Sequence, residues 1–98
     1  MTTGIAFHEA AELELAEAAA FYERECPGLG VTFLDEVQAA LKTLAQFPEG
    51  SPLLRGRIRR KVLVRFPYTV LYSLRDDQIR ILAVAHEKRR PFYWHGRR

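Results

Sequence analysis

Tyr68-Thr69-Val70-Leu71-Tyr72-Ser73-Leu74-Arg75-Asp76-Asp77-Gln78-Ile79-Arg80-Ile81-Leu82-Ala83-Val84-Ala85 is the stretch that decides the fold. Tyr68–Leu74 and Ile79–Ala85 are rich in β-branched, aromatic and aliphatic residues, and Arg75–Gln78 between them is short and polar. Two such runs across so brief a link read as an antiparallel hairpin. Upstream, Phe66-Pro67 forces a bend. Before that bend Ile58–Val64 alternates, with Ile58, Arg60, Val62 and Val64 on one face and Arg59, Lys61, Leu63 and Arg65 on the other, the period of a half-buried strand. Pro48, Gly50 and Pro52 mark an irregular stretch, and the extended pattern starts after Gly56.

The first half of the chain follows a helical period. Glu9 to Tyr22 consists almost wholly of strong helix formers, and its early glutamates suit the positive end of a helix dipole. Extended to Cys26, this helix is about 27 Å long. Cys26-Pro27-Gly28 ends it, because the residue before proline leaves the α region and glycine accepts the turn. A second helix is expected from about Leu29 to Phe47, with Leu34, Val37, Leu41 and Leu44 on the face toward the sheet. So short a link makes the two helices antiparallel. Ile5-Ala6-Phe7 is long enough for an opening strand. The order is β-α-α-β-β-β, an α+β fold with a helical hairpin on one face of a small, mainly antiparallel sheet.

Composition and charge narrow the function classes. With 98 residues, the chain reads as a single domain spanning 1–98, able to bury roughly 65% of the surface its unfolded form exposes. Cys26 is the only cysteine, so an internal disulfide is excluded and a reducing compartment fits. No zinc-ligand spacing, signal peptide or membrane span is present, so no metal, no cofactor and a cytoplasmic location are expected. The formal charge of +3 hides a strong asymmetry. Residues 1–49 hold two cations against nine anions, a net −7, and residues 50–98 hold thirteen cations against three anions, a net +10. A sorted basic half suits a nucleic acid or another acidic partner.

Four blocks in order carry a family resemblance: FYERECPGLGVTFLDEVQAAL (Phe21–Leu41), FPEGSP (Phe47–Pro52), RFPYTVLY (Arg65–Tyr72) and ILAVAHEKRRPFYW (Ile81–Trp94). Together they resemble the RelE/ParE superfamily of bacterial toxins, and the ParE-like plasmid-stabilisation branch most closely. The resemblance implies a toxin of a type II toxin–antitoxin pair, assembled in a hetero-oligomer with a ParD-like antitoxin that neutralises it. ParE-like members poison DNA gyrase, whereas RelE-like members cut messenger RNA on the ribosome. Fold does not choose between these, so site residues must.

A nuclease needs an acid, a base and clustered cations around the phosphate. His86, Tyr93 and His95 are the acid/base candidates, and Arg59, Lys61, Arg65 and Arg80 are the candidate phosphate holders. A structural role for each is the stronger reading. A single histidine at a strand end usually serves hydrogen bonding, and Tyr93-Trp94 closes one end of the core or marks a contact surface. RelE-like nucleases typically carry cations on the central strands, but Tyr68–Leu74 has none, and His86–Trp94 looks like the ParE branch. The expected function is therefore a gyrase poison with no catalytic residues. Its expected target-binding surface comprises Arg59, Arg60, Arg65, Lys88, Arg89, Arg90, Tyr93 and Trp94. A RelE-like endoribonuclease is the alternative, and a member whose only partner is its antitoxin is a third. The alanine-lined first helix and the family's docking mode also lead us to expect an apolar groove for the antitoxin.

Overall fold

The computed structural model describes residues 3–98, arranged as β1 (Gly4–Phe7), α1 (Glu9–Glu25), α2 (Leu29–Gln46), β2 (Leu53–Arg55), β3 (Ile58–Val62), β4 (Tyr68–Arg75) and β5 (Gln78–His86). The five strands form one sheet in the order β1-β5-β4-β3-β2, parallel only between β1 and β5. The hairpin stands as expected. Asp76 and Asp77 turn it with φ of 51° and 59°, the left-handed conformation that a two-residue hairpin loop with native twist requires, and Arg75 pairs with Gln78. No described helix is long and apolar enough to cross a membrane.

Three expectations are corrected. β2 adds a fourth strand after the helices; lying between Pro52 and Gly56, its three residues are too few to show a period of two. Gly56, at φ 57°, makes the turn into β3. β3 stops at Val62 rather than Val64, because the Glu36 carboxylate takes the N–H groups of Val64 (2.8 Å) and Arg65 (3.0 Å) in place of a strand partner. Val64 is consequently 93% exposed. On α2 the buried stripe is Phe33, Val37, Ala40 and Leu44, whereas Leu34 is 41% exposed. Phe33 sets the helix phase by joining an edge-to-face cluster with Phe66 and Tyr68.

Both faces of the sheet are covered, so β5 reads as an almost unbroken apolar run rather than an alternating one. The helices lie on one face over Val70, Tyr72, Ile79, Ile81 and Val84. On the other face the segment after β5 folds back and lays Trp94 against Leu71, Ala83 and Ala85, with Leu54, Ile58 and Tyr93 around them. Trp94 is 4% exposed and belongs to a second, smaller core.

The helices approach closely because small residues face each other. Ala18 and Ala19 of α1 are buried, and a Cβ added at Gly30 of α2 would lie 2.6 Å from the Ala19 carbonyl oxygen. Glu23 of α1 completes the joint by accepting the N–H groups of Gly28 (2.9 Å) and Gly30 (3.0 Å) at the start of α2, satisfying donors that a helix leaves open there. Gly→Ala inside a helix ordinarily stabilises by about 0.5–1 kcal/mol. Gly30→Ala is expected to reverse that sign and destabilise by about 1–3 kcal/mol, because the helices must separate. Urea unfolding with an unchanged or raised midpoint would refute this tight packing.

Candidate functional site: a basic sheet face clamped by Glu14

The charge asymmetry of the sequence becomes an asymmetry of layers. The acidic half supplies β1 and the two helices, and the basic half supplies β2–β5 and the C-terminal segment. Among the described residues two ion pairs form, Glu36–Arg65 and Glu14–Arg97, and both join one half to the other. Hydrogen bonding, led by the Arg65 N–H and reinforced by its side chain, lowers the pKa of Glu36 despite partial burial.

Glu14 is the more connected of the two carboxylates. β1 covers β5 only as far as Ile81, which leaves the backbone edge from Leu82 onward to be satisfied by side chains. Glu14 Oε1 accepts from the Val84 N–H and from Arg97 Nη1, both at 3.0 Å. Its Oε2 accepts from the Tyr93 hydroxyl at 2.8 Å and from Arg97 Nη2 at 3.1 Å. Arg97 Nη1 also donates to the Leu82 carbonyl at 3.0 Å, so one carboxylate and one guanidinium together close the strand edge. Two cations approach the Tyr93 ring, with the Arg89 and Arg97 guanidinium carbons 3.9 and 5.2 Å from its centroid. Burial raises the Tyr93 hydroxyl well above the ordinary tyrosine range. Glu14 adds to the rise, and the two arginines only partly offset it.

The predicted site residues do not all meet. Arg60, His86, Arg89, Arg90, Tyr93 and Trp94 line one cleft of about 270 Å³ on the sheet face away from the helices. Lys88 is exposed beside it, and its N–H donates to His86 Nδ1 at 3.0 Å, which leaves Nε2 as the histidine's free nitrogen. The His86 ring also stands edge-on to Tyr68, 5.0 Å between centroids. Arg59 and Lys61 lie elsewhere, on the helix side of β3, paired in register with Tyr72 and Val70 of the main core. Arg59 donates to the carbonyls of Glu49 (3.2 Å) and Ser51 (2.7 Å), tying down the loop before β2. Arg65 is taken by Glu36, and Arg80 by the carbonyls of Phe7 and Arg98. His95 is exposed in a neighbouring cleft.

A separate groove of about 550 Å³ runs between α1 and the sheet. Ala18, Phe21, Tyr68 and Val84 supply its apolar lining, and Glu14, Glu17, Arg24, His86 and Arg89 supply polar groups. Phe21 is 47% exposed there. The groove is thus half polar rather than the apolar one expected. Sequence reasoning also missed Glu14 and Arg97. A signal existed for Glu14: it falls on the same helix face as the buried Ala11 and Ala18, three and four residues away, where a carboxylate demands partners. Arg97, at the end of a basic tail, carries no comparable mark.

The raised Tyr93 pKa gives a test with a definite sign. The folded state holds this proton more tightly than the unfolded chain. The resulting stability is fully present below about pH 10, the ordinary tyrosine value, and is lost as pH rises through the folded value. Ultraviolet titration of wild type against Tyr93→Phe should show this hydroxyl ionising later than an unperturbed tyrosine. Glu14→Gln should lower its pKa and destabilise the fold by about 1–3 kcal/mol. An ordinary pKa for Tyr93 would contradict the clamp geometry.

Comparison with known proteins agrees with the fold. The family described as "ParE toxin of type II toxin-antitoxin system, parDE" matches residues 5–91. No curated protein matches the sequence significantly. A solved structure described as "Chromosomal ParDE TA system from P. aeruginosa" is similar over 87% of this chain and 96% of that chain, with a TM-score of 0.76 and 18% identity, a likeness of fold. Since the family match spans nearly the whole chain, this protein belongs to the ParE toxin family of type II toxin–antitoxin systems.

Proposed function

We propose that this toxin arrests growth by binding DNA gyrase and trapping it on broken DNA, with no bond-making chemistry of its own, and that a ParD-like antitoxin neutralises it. The observation that carries the reading is the convergence of Arg60, Arg89 and Arg90 around Trp94 in one cleft, with Lys88 exposed beside it. Arginine forks are what a protein or nucleic-acid contact uses, and the buried Trp94 fixes the floor of the cleft on which they stand. The cations a nuclease would place around a phosphate point away from this cleft: Arg59 and Arg65 hold the chain's own groups, and Lys61 sits against α2. The Tyr93 proton is retained far above neutral pH and donated to Glu14, which supports a structural role over a catalytic one.

The antitoxin's place in this proposal is the groove between α1 and the sheet. Its exposed Phe21 offers an apolar anchor, and Glu17, Arg24 and Arg89 offer charged partners along the rim. Toxin and antitoxin would then form a hetero-oligomer acting in the cytoplasm.

One observation favours the second reading. His86 and Tyr93 line the same cleft as the three arginines, so a RelE-like endoribonuclease on ribosome-bound messenger RNA remains the competing function. The two separate cleanly when purified protein is incubated with gyrase, supercoiled plasmid and ATP. Covalent gyrase–DNA breaks should rise with toxin dose and vanish on adding antitoxin. Lys88→Ala/Arg90→Ala, which leaves Arg89 of the antitoxin groove in place, should lose both the breaks and growth arrest while keeping its fold and its antitoxin. If folded toxin yields no breaks but cuts ribosome-bound transcripts, the nuclease reading replaces this one.

A further inference from the structure

Beside the cleft just described lies a second one, of about 300 Å³, lined by arginines that sequence reasoning had not assigned. Arg55 and Arg57 flank the glycine turn between β2 and β3, Arg75 ends β4, and His95 and Arg98 come from the C-terminal segment. Arginines from three separate elements therefore meet at one concavity. No Asp or Glu side chain lines it, and Asp76 and Asp77 at the adjacent hairpin tip are not among its lining residues. Arg55, Arg57 and Arg75 are exposed and, among the described residues, form neither ion pairs nor side-chain hydrogen bonds. Arg59, Arg65, Arg80 and Arg97, by contrast, all hold internal oxygens.

We propose that this second cleft is a phosphate-backbone site for duplex DNA, formed by Arg55, Arg57 and Arg75 and independent of whether gyrase is the target. Like charges brought together without internal partners repel one another, and bound phosphates relieve that repulsion. The space equals roughly ten water volumes, enough to admit a phosphodiester group. The Arg55 guanidinium carbon is 4.7 Å from the Phe92 ring centroid, which orients the fork and lowers the rotamer entropy lost on binding.

The surroundings favour a duplex over a single strand. Single-stranded nucleic acids are held by exposed aromatic rings on which bases stack. Here Trp94 is buried, and Phe92, though 40% exposed, does not line this cleft and has Arg55 over its ring. What remains on offer is charge, which reads the sugar-phosphate backbone without regard to base sequence. Trp94 lines both clefts, so this site continues the Arg60/Arg89/Arg90 surface into one basic band across the sheet face.

The test needs only purified toxin and a short fluorescent duplex of arbitrary sequence, titrated by anisotropy at several salt concentrations. Wild type should bind at low salt, with equal affinity for unrelated sequences and more weakly to single-stranded RNA of equal length. Arg55→Gln/Arg57→Gln/Arg75→Gln should flatten the log–log salt dependence by about 2–3, near 0.9 for each phosphate contact removed. Lys42→Gln on the helix layer, matched to the single charge lost in Arg57→Gln, controls for net charge and should leave the slope unchanged. Thermal unfolding monitors folding, and if the triple variant unfolds, Arg57→Gln alone should lower the slope by about 1. The proposal is overturned if wild type does not bind duplex DNA, if the cleft variant keeps the wild-type slope, or if single-stranded RNA binds more tightly.

Discussion

Glu14 reaches from the buried stripe of α1 to the part of β5 that β1 leaves uncovered, and its two oxygens accept four hydrogen bonds there. A carboxylate has about four acceptor sites, so this one is saturated. Its donors belong to a strand, a tyrosine and an arginine, and the last two lie on the segment that covers the far side of the sheet. The helix layer thereby holds down the opposite layer. Trp94 follows Tyr93 directly, so its burial against Leu71, Ala83 and Ala85 depends on the same anchorage. Glu14 and Arg97 keep only 14% and 19% of their side-chain surface exposed, where loss of one charge strands the other.

This anchorage gives the charge asymmetry its use. An acidic helix layer and a basic sheet layer attract across their seam, and Glu14 and Glu36 are the acidic groups that form the links. Other arginines on the sheet face hold no internal oxygen among the described residues. They divide into two neighbouring groups, Arg60 with Arg89 and Arg90, and Arg55 with Arg57 and Arg75, on either side of Trp94. A face of one charge sign speeds encounter with an acidic surface, and the opposite charge on the helix layer discourages docking in reverse.

Much of the fold was legible because its signals are local. The hairpin of β4 and β5, the break at Cys26-Pro27-Gly28 and the antiparallel helices all follow from short-range propensity. β2 was not legible, since three residues between a proline and a glycine turn carry no period. On α2 Val37 and Leu44 lie in the core as expected and Leu41 packs against it, but Leu34 was placed there instead of Phe33, because the two differ little in a pattern and only the aromatic cluster chooses between them. At the site, the run from Lys88 to Trp94 stood out by composition, but the division of arginines into those that hold internal oxygens and those that do not was invisible. Arg59 and Arg65 look no different in sequence from Arg57 and Arg60. Their partners are the Glu49 and Ser51 carbonyls for Arg59 and the Glu36 carboxylate for Arg65, and only tertiary structure brings these within reach.

The account stands or falls on whether Glu14 holds the C-terminal segment against the sheet. Hydrogen exchange of wild type and Glu14→Ala measures this directly, amide by amide. Loss of the clamp should raise exchange at Val84 and across residues 92–97, while amides in α2 and in the pairing of β3 with β4 keep their protection. Unchanged protection at Val84 and Trp94 in a folded Glu14→Ala variant would contradict it, and the second core would then have to be held by Trp94 burial alone.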